Sequence, residues 1–340
     1  MKRYLGVDLH RNCFTVCTLK EDGQSELRKW SIHSLCDFAQ EVQATDEVAV
    51  EATGNARYFC QALKERGCRL VVVNPHQFQV VSRSVKKTDA HDAKTLAEFL
   101  AKDMLPEVRM KEALPAEIAS VLQTRDKLVK LRTVLKNKIN NLLAGQGILI
   151  RRESLSSDKG LEQVLQAPVS DLERVELEVL VGQIRHLNDS IRRLEAAIKE
   201  QGPKLPGYES LKSIKGIGDI GASTMLSTIG DINDFASEGK LAAYFGIVPR
   251  VQNSNATERS GRITKRGSKL GRTALVQCAL IAMRYSPYLA NYYARIKAAR
   301  GSGKAIIALA RKFLGIIYKT LKNGWVFEDF PAFVLAPAAG

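Results

Sequence analysis

Two aspartates, Asp89 and Asp92, lie three positions apart in the segment KKTDAHDAKT. Residues at i and i+3 share one face of a helix, so both carboxylates point the same way, whereas His91 is predicted to lie on the surface. Two adjacent carboxylates repel each other, and a divalent cation beside them would relieve that repulsion. The alternative is that Asp89 caps the helix and Asp92 occupies its first turn, and for the pair in isolation this structural role is preferred.

Two further acids stand in segments that read as apolar strands, Asp8 in YLGVDLH and Glu51 in VAVEATG. A lone acid on an apolar strand needs a partner or a metal. Adjacent strands would bring Asp8 and Glu51 together, and a helix packed on the same sheet would add Asp89 and Asp92. Four carboxylates suit one or two Mg²⁺ ions, which bind oxygen ligands and act on phosphates. Three lysines beside the helical acids would then hold the nucleic acid; they are Lys86, Lys87 and Lys94.

The elements that position these acids alternate between strands and helices over residues 1–110, which predicts an α/β domain. The apolar runs predict strands in 3–20, divided by a polar turn at His10–Asn12, in 46–54 and in 69–78. Helices are predicted between them, at 34–44 and 56–66.

The middle of the chain has a different pattern. Within 177–198 the apolar positions advance by alternating steps of three and four, which predicts a coiled-coil seam. The seam positions are Leu177, Leu180, Ile184, Leu187, Ile191, Leu194 and Ile198. A weaker repeat in 116–143 predicts a second long helix. The two helices could fold back as a hairpin within one chain or pair with another subunit, and both arrangements stay open.

A Pro/Gly-rich segment at 201–211 predicts a linker to a C-terminal part that is mostly helical. Just beyond it, Gly216–Ile217–Gly218 stands between apolar residues. This predicts either a helix-hairpin-helix, whose backbone N–H groups would meet a phosphate, or an ordinary turn between two helices.

The chain of 340 residues carries a formal net charge of +15 at pH 7, which favours a polyanionic partner. From Arg250 to Lys312 there are 14 lysines and arginines against one acid, Glu258, whereas a merely solubilising surface mixes both signs. Nucleic-acid binding is therefore predicted. The sequence shows no apolar run of membrane-spanning length and no signal peptide, and its six cysteines have no CxxC spacing, which predicts reduced thiols in a cytoplasmic protein.

The motifs GVD, VEATG and TDAHDA, in this order, resemble the DEDD tetrad of the transposases of IS110 and IS1111 insertion sequences, described as bridge-RNA-guided recombinases. The segments YFGIVPR, SGRITKRG and GRTALVQCA resemble that family's C-terminal transposase domain, so the resemblance covers nearly the whole chain. It implies that Asp8, Glu51, Asp89 and Asp92 are the metal-binding tetrad. It also implies three parts: a RuvC-like, RNase H-type α/β domain in 1–112, a helical coiled-coil region in 113–202 and a mainly α transposase domain in 203–330.

The family uses a serine of its C-terminal domain as nucleophile, and the serine at the matching place is Ser254 in VPRVQNSNATERSGRITKRG. A covalent enzyme–DNA link would keep the energy of the phosphoester bond for rejoining. Many relatives have two serines followed by glycines where this chain reads NSNA, so Ser260 and Ser268 stay as rivals. No histidine lies in the basic stretch to act as a base, which favours activation by a metal. Nearby basic residues would bind nucleic acid; they are Arg250, Arg259, Arg262, Lys265, Arg266, Lys269 and Arg272.

The resulting prediction is an RNA-guided recombinase of the bacterial cytoplasm that cuts and rejoins donor and target DNA, with a non-coding guide RNA as partner. The resemblance implies that Ser254 of one subunit acts beside the tetrad of another, in a dimer or tetramer, so the 177–198 seam is expected between subunits. Two alternatives remain: a RuvC-like structure-selective nuclease that uses water, and a non-catalytic nucleic-acid-binding scaffold. A covalent protein–DNA adduct would mark the recombinase, and binding indifferent to loss of the acids would mark the scaffold.

Overall fold

The chain divides into two compact units, residues 1–110 and 111–340. The computed structural model describes residues 2–75, 78, 88–151, 153–254 and 257–337, apart from the side chains of 251–260, 336 and 337. Within the second unit, Leu122, Ile198 and Phe313 belong to one hydrophobic core. This core is continuous across the predicted boundary between 113–202 and 203–330, and that division stays a prediction.

The first unit is built on a mixed five-stranded sheet flanked by helices, which confirms the predicted α/β pattern. Its strands are β1 (Arg3–Leu9), β2 (Cys13–Lys20), β3 (Ser25–Ser31), β4 (Glu47–Glu51) and β5 (Arg69–Val73). The order across the sheet is β3-β2-β1-β4-β5. Strand β2 is antiparallel to both β1 and β3, whereas β1, β4 and β5 are parallel to one another. The helices are α1 (Leu35–Glu41), α2 (Ala56–Leu63) and α3 (Asp89–Ala101).

The two faces of this sheet are covered by different helices, because side chains alternate along each strand. On one face, Val7 of β1 packs in a cluster with Phe38 of α1 and Phe59 of α2. On the other face, Ala93 and Ala97 of α3 pack against Cys17 of β2. Even-numbered residues of β1 therefore face α3, and this face holds the predicted acids.

Strand β3 was not predicted, because its sequence SELRKWS has no apolar alternation. It forms an edge of the sheet, and every residue except Trp30 is exposed. Trp30 stacks on Phe14 of the neighbouring strand with ring centroids 6.3 Å apart, and the guanidinium of Arg28 lies 3.9 Å from the centre of the Trp30 ring. Backbone pairing with β2 and one aromatic anchor thus define a strand that periodicity does not reveal.

The second unit is mostly helical, as predicted. Its helices are α4 (Ala113–Gly145), α5 (Asp158–Leu165), α6 (Asp171–Gln201), α7 (Tyr208–Lys212), α8 (Asp219–Ile229), α9 (Glu238–Tyr244), α10 (Lys269–Ala282), α11 (Pro287–Arg300) and α12 (Ser302–Lys322). Two antiparallel strand pairs were not predicted: β6 (Pro249–Ser254) with β7 (Thr257–Ile263), and β8 (Trp325–Asp329) with β9 (Val334–Pro337). Among the described helices, none has the length and apolar composition that a membrane span requires.

The heptad seam of 177–198 lies within α6 and packs against α4 of the same chain. Polar pairs join the two helices in antiparallel order: Arg132 Nη1 donates to Asn188 Oδ1 at 2.7 Å, and Gln146 Nε2 donates to Glu173 Oε1 at 2.6 Å. Ile184, at the centre of the seam, has no exposed surface in the single chain. The expectation that this seam joins subunits is therefore wrong; an intramolecular partner already covers it, and heptad spacing alone does not identify the partner.

Leu187 gives a direct test of this intramolecular packing. Replacing it by Asp is expected to lower the free energy of unfolding by about 2–4 kcal/mol, because the charge would be buried in an apolar seam. Thermal unfolding would show the same fall in Tm at every protein concentration. The control is Val179→Asp on the exposed side of the same helix, which should leave Tm nearly unchanged. A fall in Tm that disappears at high protein concentration would show instead that the seam joins subunits.

The predicted linker at 201–211 is packed rather than extended, with Leu205 and Tyr208 in the core. The following turn has Gly216 at φ 106°, where an added Cβ would lie 2.5 Å from the backbone nitrogen of Ala282. The first turn of α8 already contains a carboxylate, because Asp219 Oδ1 accepts hydrogen bonds from Tyr208 at 2.8 Å and Lys212 at 2.5 Å. This arrangement favours the ordinary turn between helices over a phosphate-binding hairpin.

Candidate active site

Two of the predicted acids lie near the ends of adjacent parallel strands of the first unit, Asp8 next to last in β1 and Glu51 last in β4. The last registered pair of β1 and β4 is Val7 with Val50, so Asp8 and Glu51 are the next residues on their strands. Neighbours in register on parallel strands project from the same face of a sheet. Asp8 and Glu51 therefore stand side by side on the face that α3 covers.

The other two acids enter from the start of α3. The cap of this helix is Thr88, whose side-chain oxygen accepts a hydrogen bond from the backbone N–H of His91 at 3.2 Å. The suggested capping role of Asp89 is therefore wrong, since Asp89 is the first residue of the helix and shares its first turn with Asp92. Asp92 is 8% exposed and points inward, whereas His91 is exposed, as its angular position predicted.

Gly6 explains how α3 comes close enough to bring these acids together. A Cβ added at Gly6 would collide with the backbone oxygen of Ala93 and the backbone nitrogen of Ala97. Gly6 precedes Asp8 by two residues and lies on the same face. The helix backbone thus rests directly on β1, and its first turn reaches the end of that strand.

A histidine that is not among the predicted site residues lies between two of the acids. His10 Nε2 is 3.2 Å from Asp8 Oδ2 and 3.2 Å from Asp89 Oδ1. The signal that could have found it is its spacing, because residues i and i+2 at the end of a strand point to the same side. The composition of this segment indicates only a polar turn after β1.

Asp8, His10 and Asp89 form a group that can hold a cation, with one ligand atom from each residue within 4.8 Å of the others. Burial raises the pKa of Asp8, and the nearby charges of Asp89 and Asp92 raise it further against the opposing effect of His10. The hydrogen bond from His10 lowers the pKa of Asp89. Carboxylate oxygens that repel one another beside an imidazole nitrogen fit a divalent cation, which would relieve that repulsion.

Several predicted residues fall where the structure gives no side-chain position. Lys86 and Lys87 lie outside the described residues. Ser254 is the last residue of β6, where its backbone pairs with Thr257, and Arg259 lies in β7; both side chains are outside the described part. Their roles stay predictions.

The remaining basic residues of the second unit surround the turn between β7 and α10. Arg250, Arg262, Lys265, Arg266 and Lys269 are exposed. Ser268 caps α10, its side-chain oxygen accepting from the backbone N–H of Gly271 at 3.0 Å. Exposed cations around a fixed turn can contact phosphates without sequence specificity.

Arg272 differs from these residues because its guanidinium holds the turn itself. Its Nη1 donates to the backbone oxygens of Phe245, Arg266 and Gly267 at 3.3, 3.2 and 3.1 Å. Its predicted contact with nucleic acid remains a prediction. In the first unit, Lys94 pairs with Glu98 at 3.9 Å, one turn further along α3.

Two family models match this chain. A DEDD-type IS110 model described as "Transposase" matches residues 5–147, and a model described as "Transposase IS116/IS110/IS902 family" matches residues 208–294. The first match contains all four predicted acids. The second contains Ser254 and the basic turn, so both groups of predicted site residues fall within the matched segments.

Full-length relatives agree with these matches. The chain is 29% identical over 290 residues to a "Probable family 20 transposase" of Pseudomonas aeruginosa, covering 81% of this chain and 84% of the relative. It is 26% identical to the "Transposase for insertion sequence element IS1111A" of Coxiella burnetii, covering 94% and 89%. It is 27% identical to the "Pilin gene-inverting protein" of Moraxella bovis, covering 96% and 98%. The chain therefore belongs to the IS110 family of insertion-sequence transposases, enzymes that cleave and rejoin DNA.

Proposed function

We propose that this transposase is an RNA-guided DNA recombinase whose first unit is a RuvC-like domain. The observation that carries the RuvC-like assignment is the convergence of acids on one face of the sheet, whereas guidance by RNA is proposed from the family resemblance. Asp8 and Glu51 lie side by side near the ends of adjacent parallel strands, and the first turn of α3 brings Asp89 and Asp92 to Asp8. A mixed sheet with acids at neighbouring strand ends suits hydrolysis or transfer at a phosphodiester.

Membership of the DEDD transposases implies dependence on a divalent metal, and we take Mg²⁺ as the ion. Asp8 and Asp89 would hold it with Glu51 and Asp92, and His10 would orient the two nearest carboxylates. When bound, such an ion polarises a phosphate oxygen and stabilises charge that develops in the transition state. The inward position of Asp92 restricts the carboxylate orientations at the start of α3, which prepares the site before DNA arrives.

Ser254 is the proposed nucleophile. Its Oγ would form a bond to phosphorus while the bond from phosphorus to the leaving strand's oxygen breaks, and the proton lost by the hydroxyl is matched by the proton that the leaving oxygen takes up. The reverse reaction with a new strand end would restore the serine and seal the DNA. Serine hydroxyls are weak nucleophiles at neutral pH and need such an activated site.

Rejoining is supported by the kinds of relatives that this chain has. The pilin gene-inverting protein, by its name, reverses a gene segment, which requires every cut end to be sealed again. A covalent intermediate meets this need without an external energy source. The proposed assembly is a dimer or tetramer in which Ser254 of one subunit serves the carboxylates of another, directed by a non-coding guide RNA to donor and target DNA.

The adduct itself is the test that separates recombinase from water-using nuclease. The purified chain is trapped on nicked DNA, digested and mapped by mass spectrometry. A phosphoserine-linked nucleotide is expected at Ser254 in the wild type and none in Ser254→Ala. The control is Ser268→Ala, which removes a helix cap and should lower stability by about 1 kcal/mol without removing the adduct. An adduct at Ser260 or Ser268, or cleavage with no adduct at any serine, would contradict the proposal.

A further inference from the structure

A cleft of about 600 Å³ opens beside the carboxylates in the first unit. Its lining comes from β2, β3 and the start of α3, and includes Thr15, Leu27, Lys29, Thr88 and Asp89. The cleft therefore reaches Asp89 from the side of the sheet edge, away from β4.

The register of the sheet aligns one row of side chains toward this cleft. Asp8 of β1 lies opposite Thr15 of β2, and Thr15 lies opposite Lys29 of β3. Residues directly opposite on antiparallel strands have Cβ atoms about 5 Å apart and project from the same face. The row therefore leads from an acid through a hydroxyl to an ammonium group across three neighbouring strands.

Lys29 and Thr15 offer hydrogen-bond donors to a ligand in the cleft. The side chain of Lys29 is 64% exposed, and its Nζ lies 3.8 Å from Asp89 Oδ2, so the ammonium group stands at the cleft beside the carboxylates. Thr15 is only 6% exposed and also lines the cleft, so its side chain borders the space that a ligand would occupy. A hydroxyl can donate a hydrogen bond to an anionic oxygen, and an ammonium group can donate a stronger, charge-assisted one.

We propose that this cleft binds one phosphate of a DNA strand, with the Lys29 ammonium group and the Thr15 hydroxyl donating to its non-bridging oxygens. The inference rests on the proposed function, because the strand held here would continue to the carboxylates. Thr15 and Lys29 act as positioning residues: they fix the strand beside the reacting phosphate and take no part in bond breaking. Leu27 supplies an apolar wall beside the sugar.

Lysine acetylation of the whole chain tests this without catalysis. The probe is a mixed-sequence single-stranded DNA oligonucleotide in the presence of Ca²⁺, and mass spectrometry follows each lysine. Acetylation of Lys29 is expected to slow about tenfold when DNA is bound, since a charge-assisted hydrogen bond occupies the ammonium group. Lys64, an exposed lysine of the same unit, should react equally with and without DNA.

Thr15→Val provides a second readout that a structural role would not give. The substitution keeps the approximate shape and removes the hydroxyl, so the protein should stay folded while DNA protects Lys29 less. Equal acetylation of Lys29 with and without DNA, or protection by RNA alone, would overturn the assignment. If Lys29 is not protected but the protein still shows metal-dependent cleavage, phosphate binding in the cleft is rejected and the proposed function is kept. If cleavage survives the loss of Asp8, the proposed function is rejected instead.

Discussion

Asp8→Asn is expected to lower the rate of DNA cleavage and rejoining by about a thousandfold or more, while the fold is kept or becomes more stable. Burial and the neighbouring carboxylates raise the pKa of Asp8 in the folded chain. The charged form is therefore less favourable in the folded state than in the unfolded state, and this lowers the free energy of unfolding once the pH exceeds the usual range of an aspartate. Asparagine keeps the shape and removes that charge.

Thermal unfolding as a function of pH, without divalent ions, measures the stability part of this prediction. In acid, Asp8 is protonated in both the folded and the unfolded state, so wild type and Asp8→Asn should have the same Tm. As the pH rises, the Tm of the variant should exceed that of the wild type. Asp46→Asn is the contrasting control, because Asp46 is buried and accepts from Arg3 Nε at 2.9 Å and from the backbone N–H of Gln43 at 2.8 Å. Asp46→Asn should lower the free energy of unfolding by about 2–4 kcal/mol. If Asp8→Asn protein still cleaved DNA, Asp8 would not be part of the active site.

Gly6→Ala is expected to inactivate the enzyme through the backbone rather than through a functional group. The added methyl group would collide with main-chain atoms of Ala93 and Ala97, which cannot move aside as a flexible side chain would. Helix α3 must then shift away from β1, at a cost of about 1–3 kcal/mol or more. The shift would carry Asp89 and Asp92 away from Asp8.

Gly54→Ala is the matched control for Gly6→Ala, because an added Cβ at Gly54 meets nothing within 4 Å. The two variants are compared by Tm and by the rise in Tm on adding Mg²⁺, which reports binding to the folded state. Gly6→Ala should lower Tm and lose the Mg²⁺ response, whereas Gly54→Ala should keep both. Wild-type Mg²⁺ response in folded Gly6→Ala protein would show that the approach of α3 does not set the carboxylate geometry.

The sequence reveals those parts of the first unit whose burial follows a simple pattern. Strands β1, β4 and β5 are apolar because helices cover both faces, and the acids at two of their ends break that pattern visibly. His10 cannot be predicted as a site residue from the sequence, because a histidine after a strand is common. Only the approach of α3 places its ring between two carboxylates. That approach depends on Gly6, which periodicity does not interpret.

Patterns with two physical solutions could not be resolved from one chain. A heptad seam stabilises a helix pair in the same way within a chain or between chains, and the sequence of the segment between α4 and α6 does not show which pairing forms. The basic turn is similar: Lys265 and Arg272 are both cations in one short segment, yet Arg272 binds three backbone oxygens. The number of charges predicts a nucleic-acid partner, but it does not show which basic side chains form hydrogen bonds within the protein instead.

The hairpin of α4 and α6 has a consequence for the order in which the chain assembles during synthesis. At its tip, Ile139, Leu155 and Ile184 belong to a cluster drawn from one continuous stretch, so little loop entropy opposes its closure. At its base, Leu122 shares a core with Phe313 of the last long helix. A nascent chain that has left the ribosome as far as α6 can close the tip at once, whereas the base waits for α12. During translation the nascent chain is therefore expected to form the hairpin at its tip first, while its base stays unpacked until α12 has been synthesised.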